Sequence, residues 1–378
     1  MLIATCYDAV EIHRVEKFIY GRFLRPHRVI STCRAAGGLR DDLECVYNHQ
    51  VCEPSGPSHN AAINAWEDPI AYRRMVCQAA GAPPETSAGM ATAANMMNAA
   101  LVGLAFRGVE VFCLATAGVE GNAGRAGDPA THHEHDGRFE DLAQDGPPAH
   151  GTINLMFFLG QELTAGGMVR AVITATEAKA VALQELAIGS RYSSGPATGT
   201  GTDQIVIAAR LGGTPATSPS KHTKLGQLIA ESAIQAIKET LAVQNDLSAS
   251  GQCSCRAHLA RFAAGRDLAA SAAALLDGDH AALLRQNFDV IDRDPPTVAA
   301  AAALAHVADE LAWGILPASA APEILAAQAA QMAVAACGAP ELWPALRQSL
   351  APPMGHAPEQ VFDLACQALA LGFARKWR

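Results

Sequence analysis

The chain has 378 residues, of which 50% are hydrophobic and 17% charged, so it can bury a full core and is neither a disordered tail nor a disulfide-stapled peptide. Its 28 basic and 37 acidic residues give a net charge of −9, which argues against nucleic acid or an anionic membrane surface as the main partner. No apolar run approaches the ~18 residues of a membrane span. The first residues do not resemble a signal peptide, and the ten cysteines show no repeated short spacing, so we expect reduced thiols, no membrane insertion and a cytoplasmic location.

Short β-like runs alternate with helical stretches over about the first 245 residues. The mostly apolar runs at 109–115, 152–159 and 204–209 predict buried strands. Between the last two, residues 163–188 repeat apolar or small side chains with the period of a helix packed on a sheet. This order of strand, helix and strand predicts the α/β fold class.

The β pattern ends near residue 245, and the small polar stretch 247–255 is typical of a linker. Alanine- and leucine-rich segments beyond it predict helices at 256–276, 279–288, 297–316, 322–337 and 358–373. The sequence therefore predicts an α/β domain over 1–248, followed by an all-α helical domain over 256–378.

A glycine-rich segment follows the first of the predicted strands. It places Gly118 and Gly121 close to Asn122 and Asp128. Glycines let main-chain amides approach a ligand, and the two polar side chains add an amide and a carboxylate to the same segment. The alternative is a long turn in which the glycines only relieve backbone strain.

A second loop, 198–203, precedes the last predicted strand and concentrates hydroxyl groups and a carboxylate. Such a loop could hold an oxyanion with backbone amides, orient a water through Asp203, or supply a threonine nucleophile. A tight turn without chemistry explains the same residues equally well.

Charged side chains border two of the predicted helices. Glu177 and Lys179 lie on opposite sides of the apolar stripe of helix 163–188, where a half-buried carboxylate could act as a general base. Flanking charges on a packed helix are also ordinary solvated residues. His222 lies between two lysines, before the predicted helix 228–241, and is a candidate catalytic or ligand-binding group or a residue near a helix cap.

Three histidines and two carboxylates make up residues 132–136, the densest cluster of potential metal ligands in the chain. No helical or strand spacing of ligands is evident there, so we expect a solvated surface loop, no bound metal and no requirement for these residues in turnover.

Taken together, five ordered motifs resemble the adenosylcobinamide amidohydrolase family of corrinoid salvage. The motifs are Thr-Ala-Gly-Val-Glu-Gly-Asn-Ala at 116–123 with Gly-Asp at 127–128, Gly-Thr-Ile-Asn at 151–154, Val-Ile-Thr-Ala-Thr-Glu-Ala-Lys at 172–179, Ala-Thr-Gly-Thr-Gly-Thr-Asp at 197–203, and Lys-His-Thr-Lys-Leu-Gly at 221–226. Upstream stretches at 30–32, 37–38, 47–48 and 89–93 also match, so the resemblance covers about 28–240. Residues 151–163 are further similar to a strand-to-helix segment of aminopeptidases with an autocatalytically exposed nucleophile, which implies a layered α/β/β/α sandwich core.

The family resemblance implies hydrolysis of the amide that joins a propionate side chain of the corrin ring to aminopropanol, releasing adenosylcobyric acid. The substrate is then a corrinoid, no separate cofactor is needed, and cobalt enters only as part of the substrate. A homo-oligomer is compatible with this assignment. Residues 132–148 resemble an insertion beside the site and 251–378 lie outside the family core, so a changed corrinoid is compatible as well. The alternatives are a corrinoid-binding or sensing protein without turnover, and a peptidase that exposes its nucleophile by cutting its own chain.

Within these motifs we assign roles to residues. Glu177 is the preferred general base and Asp203 the alternative, while Asn122 and backbone amides of the second loop would stabilise the oxyanion. His222 or Lys179 would protonate the leaving amine. The remaining predicted substrate contacts are Gly118, Gly121, Asp128, Thr152, Asn154, Thr176, Lys179, Thr198, Gly199, Thr200, Gly201, Thr202, Lys221 and Lys224.

Overall fold

A computed structural model describes residues 1–53, 56–57, 68–142, 151–351 and 355–376. Contacts between residues group the chain into two compact units. The first comprises Met1–Leu186 and Ala197–Ser248, and the second comprises Ala187–Pro196 and Ala249–Arg378.

The first unit contains the described strands and three of the described helices. The strands are β1 (Leu2–Cys6), β2 (Val10–Val15), β3 (Phe18–Phe23), β4 (His27–Ser31), β5 (Gly38–Arg40), β6 (Cys45–Gln50), β7 (Cys52–Glu53), β8 (Gly56–Pro57), β9 (Ser87–Thr92), β10 (Ala100–Phe106), β11 (Val109–Gly118), β12 (Ala123–Gly124), β13 (His132–His135), β14 (Arg138–Asp141), β15 (Thr152–Leu159), β16 (Gly199–Thr200) and β17 (Gln204–Arg210). The helices are α1 (Pro69–Ala80), α2 (Ala165–Glu185) and α3 (Lys224–Asn245).

Two mixed sheets form the centre of this unit. One has the order β1-β2-β3-β6-β9 and the other the order β10-β11-β15-β17-β4-β5. Among the described strands of these sheets, only β6 with β9 and β15 with β17 pair in parallel. The sheets face each other across an apolar core, in which the ring of Phe158 in β15 packs directly on the backbone of Gly21 in β3, because a Cβ on Gly21 would lie 2.6 Å from that ring.

Helices cover the outer faces of the two sheets. Tyr72 of α1 packs with Tyr47 of β6 on the first sheet. Helices α2 and α3 pack on each other and on the second sheet, where Thr240 of α3 accepts a hydrogen bond from the backbone of Ala117 at 3.4 Å. The layers therefore run helix, sheet, sheet, helix, which confirms the predicted α/β sandwich core.

The predicted strand, helix, strand unit is β15, α2 and β17, with β15 and β17 in parallel register from Asn154 opposite Gln204. The N-terminal segment differs from the predicted alternation of strands and helices, because eight strands precede the first described helix. Three of them, β1 to β3, form an antiparallel meander of strands with five or six residues each, and only β2 buries alternate residues. Short alternating strands give a weak sequence signal, since a half-buried period of two extends over only five or six residues.

The second unit is helical, which confirms the all-α prediction for the C-terminal region. Its α-helices are α4 (Cys255–Leu259), α5 (Leu268–Ala273), α6 (Gly278–Asp292), α7 (Pro295–Ala312), α8 (Ala321–Cys337), α9 (Trp343–Ser349) and α10 (Pro358–Lys376). Small residues let α8 and α10 pack closely, because a Cβ on Gly372 would lie 2.5 Å from the carbonyl oxygen of Ala333. The predicted helix 256–276 is broken into α4, a 3-10 turn and α5, and α9 was not predicted.

Among the helices that the structure describes, none combines the length and apolar composition that a membrane crossing requires.

Candidate active site at the loop junction

Two glycine-rich loops that are about 75 residues apart in the chain meet in the structure. Strand β12 pairs with β16, so that Ala123 lies opposite Thr200 and Gly124 opposite Gly199. The Thr198 hydroxyl also accepts a hydrogen bond from Ala126 N at 2.9 Å. We call residues 118–128, 151–152 and 198–203 the loop junction. It brings together the two loops that the sequence indicated separately.

Asp203 accepts hydrogen bonds from four donors at the centre of the loop junction. Oδ1 accepts from Ile153 N at 2.9 Å and from the Thr200 hydroxyl at 2.6 Å. Oδ2 accepts from Thr200 N at 2.9 Å and forms an ion pair with Lys179 Nζ. The side chains of Lys179 and Asp203 are only 10% and 9% exposed. Asp203 therefore fixes the second loop to β15 and to α2, and it accepts a hydrogen bond from the Thr200 hydroxyl.

Gly199 is required by this ion pair. A Cβ at this position would lie 2.3 Å from Asp203 Oδ2 and 2.7 Å from Lys179 Nζ. By contrast, a Cβ on Gly201 would meet Asn122 Oδ1 at an ordinary 3.7 Å. The first glycine of the motif thus makes room for the charges, whereas the second leaves the loop surface open beside Asn122.

The carbonyl of Gly151 joins the remaining polar groups of the loop junction. It accepts hydrogen bonds from Asn122 Nδ2 and from the Thr202 hydroxyl, both at 2.9 Å. The Thr152 hydroxyl bonds to the Thr202 hydroxyl and to the Thr202 carbonyl, the latter at 3.0 Å. Asn122 is buried. These contacts hold the two loops and the start of β15 in one arrangement.

A buried polar chain extends from this region into the space between the sheets. Asn154 Nδ2 donates to Asn48 Oδ1 at 3.0 Å, and Asn48 Nδ2 donates to the Thr116 hydroxyl at 2.8 Å. Within the described residues, Asn154 Oδ1 has no hydrogen-bond partner. The contact between Asn48 and Thr116 was not predicted from the sequence, although both residues lie in motifs that carry the family resemblance.

Other predicted site residues lie at the solvent-exposed surface and are not in contact with Asp203. Glu177 is 46% exposed and pairs with Lys221 at 2.6 Å. His222 and Thr176 are exposed. Lys224 lies 4.8 Å from the centroid of the Phe106 ring.

The motif 221–226 has an evident structural function. Thr223 caps α3 by accepting a hydrogen bond from Gly226 N, and a Cβ on Gly226 would lie 2.0 Å from the carbonyl oxygen of Ser220.

Predicted site residues of the first glycine-rich loop also have structural contacts. Asp128 accepts a hydrogen bond from Arg125 N at 2.7 Å within its own turn. Gly118 contributes close backbone packing, because a Cβ on Gly151 would lie 2.8 Å from its carbonyl oxygen. Gly121 is half-buried in the same loop.

The histidine cluster forms a β-hairpin instead of the predicted loop. Strands β13 and β14 pair in antiparallel register, and their residues are exposed. Over the described ranges, no group of three or more histidine, cysteine or carboxylate side chains is arranged to hold a metal. Residues 143–148 of the predicted insertion lie outside the described residues.

Comparison with known sequences identifies the family. The sequence model described as adenosylcobinamide amidohydrolase matches residues 3–249, more than half of the chain. The chain belongs to the adenosylcobinamide amidohydrolase family. It is also 36% identical, over 231 residues, to an uncharacterized protein of Methanocaldococcus jannaschii, which covers 60% of this chain and 86% of that relative.

The match to the amidohydrolase family ends just after α3, so it includes the loop junction and excludes the C-terminal helices. Within the matched region, the group most suited to attack an amide carbonyl is the Thr200 hydroxyl, which donates a hydrogen bond to the carboxylate of Asp203. A hydroxyl that is hydrogen-bonded to a positioned base is the arrangement of an activated nucleophile.

Proposed function

We propose that this chain hydrolyses the aminopropanol amide of adenosylcobinamide, or of a related corrinoid, to adenosylcobyric acid and free aminopropanol. Membership of the amidohydrolase family supports the reaction class. The observation that carries the proposed site is the contiguous array of Thr200, Asp203 and Lys179 at the loop junction. The array offers a nucleophile, a base and a charge that orients the base.

In this proposal Thr200 attacks the amide carbonyl. Its proton passes to Asp203 Oδ1, 2.6 Å away, while Lys179 and the amide of Ile153 hold the carboxylate in place. The tetrahedral intermediate then collapses. The C–N bond breaks, the amine takes the proton from Asp203 and leaves, and the corrinoid remains as an ester on Thr200.

Water completes the cycle. It attacks the ester carbonyl and gives its proton to Asp203, and that proton returns to Thr200 as the carboxylic acid leaves. Donors for the transient oxyanion would come from the peptide groups around Gly201 and from Asn122, which lies beside Gly201. These are the oxyanion candidates that the sequence indicated.

The geometry favours Asp203 over Glu177 as the base. Asp203 contacts a hydroxyl inside a buried cluster, whereas Glu177 pairs with Lys221 at the surface. Similarly, Lys179 lies within the cluster and His222 is exposed. Of the two groups that the sequence indicated as acids, Lys179 is therefore the nearer, and in this scheme it orients Asp203, which delivers the proton to the amine. The assignment of Glu177 stays a prediction that turnover measurements can decide.

The test is a turnover assay on the purified full-length chain with adenosylcobinamide, in which adenosylcobyric acid and aminopropanol are both quantified. We expect wild-type protein to release them in equal amounts. Thr200→Val should lower turnover by about 10²-fold or more, and Thr200→Ser should retain most of it. Thr214→Val is the matched control, because Thr214 is exposed and lies outside both the loop junction and the predicted substrate contacts.

Each alternative function gives a different result. A sensing protein would bind adenosylcobinamide without releasing aminopropanol. A self-cutting peptidase would show an intact mass reduced by cleavage before a threonine or serine. Wild-type turnover in Thr200→Val would exclude Thr200 as nucleophile and leave a water activated by Asp203.

A further inference from the structure

The hairpin of β13 and β14 is a well-defined element that the proposed hydrolysis does not use. Asp136 and Gly137 connect its strands, and both have positive φ values, 48° and 71°. This is the conformation of a two-residue turn that matches the twist of a hairpin. The histidines are thus held on a regular β-strand.

Strand alternation separates the three histidines. His133 and His135 lie on one face, with ring centroids 5.9 Å apart and an interplanar angle of 8°. His132 lies on the other face with Glu134, which pairs across the hairpin with Phe139.

The ring nitrogens of the three histidines differ in their partners. His132 bonds to the Thr131 hydroxyl at 2.8 Å and to Asp141 Oδ1 at 3.2 Å, and His135 lies 3.3 Å from Asp136 Oδ2. Considering only the residues that the structure describes, the ring nitrogens of His133 have neither a hydrogen bond nor an ion pair. His133 is therefore the histidine whose ring nitrogen can bind an external group without losing a partner.

The hairpin is fixed near the loop junction from two sides. Along the chain, residues 127–131 connect it to Ala126, which bonds to Thr198, and the six steps from Ala126 to His132 span at most about 21 Å. Across space, Arg34 lies 5.9 Å from the centroid of the Phe139 ring. Arg34 in turn follows Thr32, whose hydroxyl accepts from Ile205 N, two residues beyond Asp203. His133 lies on the opposite face of the hairpin from Phe139, and its side chain is exposed among the residues that the structure describes.

The chemistry of the proposed substrate supplies a partner for this imidazole. Cobinamide lacks the nucleotide base, so one axial position of its cobalt is occupied by water or left open, and a neutral imidazole nitrogen is a good ligand for such a metal ion. We propose that His133 binds the cobalt of the corrinoid substrate as an axial ligand while the amide-bearing side chain reaches Thr200. The inference rests on the proposed function, because it requires a corrinoid at the loop junction.

The bond between His133 and cobalt forms by ligand exchange. The lone pair of the His133 nitrogen replaces a water on cobalt, the cobalt oxidation state does not change, and no proton is transferred if the imidazole is neutral. Since the cobalt is not the reacting atom, His133 would contribute to binding and to the choice of corrinoid and not to the hydrolytic step. Loss of His133 should raise KM several-fold and leave kcat unchanged.

Visible spectroscopy of the full-length chain tests the inference. Excess protein is added to adenosylcobinamide, and equilibrium dialysis confirms that the corrinoid is bound. We expect the visible band to shift as it does when free imidazole binds alkylcobinamides. A second sample contains cobalt(II) cobinamide, which lacks the adenosyl group and is paramagnetic. Its electron paramagnetic resonance spectrum should show splitting by one nitrogen nucleus, with a pattern that changes when the protein carries ¹⁵N-histidine.

The variants isolate the residue. His133→Ala should lose the shift and the nitrogen splitting, whereas His132→Ala and His135→Ala should keep both. A bound corrinoid whose spectrum is that of the free form, or a shift that persists in His133→Ala, would overturn the inference. Corrinoid that does not bind at all would overturn it too.

The proposed function has an independent readout. Turnover without a spectral shift would leave hydrolysis standing and exclude axial ligation. A His133-dependent shift without aminopropanol release would support axial ligation and exclude hydrolysis, and it would favour a corrinoid-binding protein.

Discussion

Lys179 of α2 forms an ion pair with Asp203, and the two side chains remain only 10% and 9% exposed. The pair connects a helix to the loop before β17, and Gly199 gives it the space that it needs. A charge taken out of water is stable only with its partner present, so this contact is sensitive to the loss of either residue.

Removing the cation should destabilise the fold. We expect Lys179→Met to lower the free energy of unfolding by about 3–5 kcal/mol, because it leaves the Asp203 carboxylate buried without its counter-charge. Urea unfolding followed by circular dichroism measures the change. Lys221→Met is the matched control: its pair with Glu177 is exposed, so we expect a change below about 1 kcal/mol. Equal effects of the two substitutions would contradict the structural importance of the buried pair.

The two glycines of the second loop should respond differently to alanine. A methyl group at Gly199 would collide with Asp203 and Lys179, so Gly199→Ala should cost about 1–3 kcal/mol and reduce turnover. Gly201→Ala meets only an ordinary contact with Asn122 and should leave the stability nearly unchanged. Melting temperatures and initial rates of both variants provide the comparison, and a stable, active Gly199→Ala protein would show that the loop can move away from the ion pair.

The general base can be decided by two amide substitutions. Asp203→Asn should lower turnover by about 10²-fold or more, whereas Glu177→Gln should change it by less than about twofold. Corrinoid affinity and the circular dichroism spectrum are measured in parallel, so that a folding defect is recognised. If Glu177→Gln alone abolishes turnover in a folded protein, the surface carboxylate is the base and the loop junction only binds substrate.

Stability should fall on mild acidification. Burial lowers the pKa of His27 from 6.5 to about 4, and the positive charge of Arg210 acts in the same direction. Burial also lowers the pKa of His49 to about 4. Between about pH 6.5 and pH 4 the unfolded chain therefore binds more protons at these histidines than the folded chain does. The free energy of unfolding decreases as the pH falls through this range, by up to about 1.4 kcal/mol per pH unit for a group such as His27.

Urea unfolding between pH 7 and pH 5 checks this sign. His27→Gln should flatten the dependence on pH, while His222→Gln, at an exposed position, should leave it as in the wild type. Stability that rises on acidification in this range would show that His27 is not buried in its neutral form.

We expect the fragment 1–248 to fold and to bind adenosylcobinamide, because the family match and the loop junction both lie within it. The segment Ala187–Pro196 is the critical part of this test, since its contacts group it with the C-terminal helices. A cooperative thermal transition and equilibrium dialysis with the corrinoid are the measurements. An insoluble fragment, or a folded one without affinity, would show that residues beyond 248 are needed for the site.

The sequence by itself determined the elements with strong local patterns. The run at 152–159, the helix after it and the strand at 204–209 correspond to β15, α2 and β17. The two strands are continuous apolar runs that are buried on both faces, and the helix repeats its buried side chains with a helical period. The helical character of the C-terminal region and the two glycine-rich loops were likewise evident from composition. The first six strands were not, because each is short, and because β4 and β6 also pair with strands farther along the chain, β17 and β9.

Only the tertiary structure decided which of the candidate residues act together. In the sequence, Glu177 and Lys179 are two residues apart and equivalent as charged neighbours of one apolar stripe. In the fold, the rotation of α2 against the second sheet turns Lys179 towards Asp203 and leaves Glu177 at the surface with Lys221. Local periodicity fixes which face of a helix is buried. The register of β12 with β16 and of β15 with β17 brings distant loops together, and this register is set by packing over the whole unit, which the local pattern of residues does not contain.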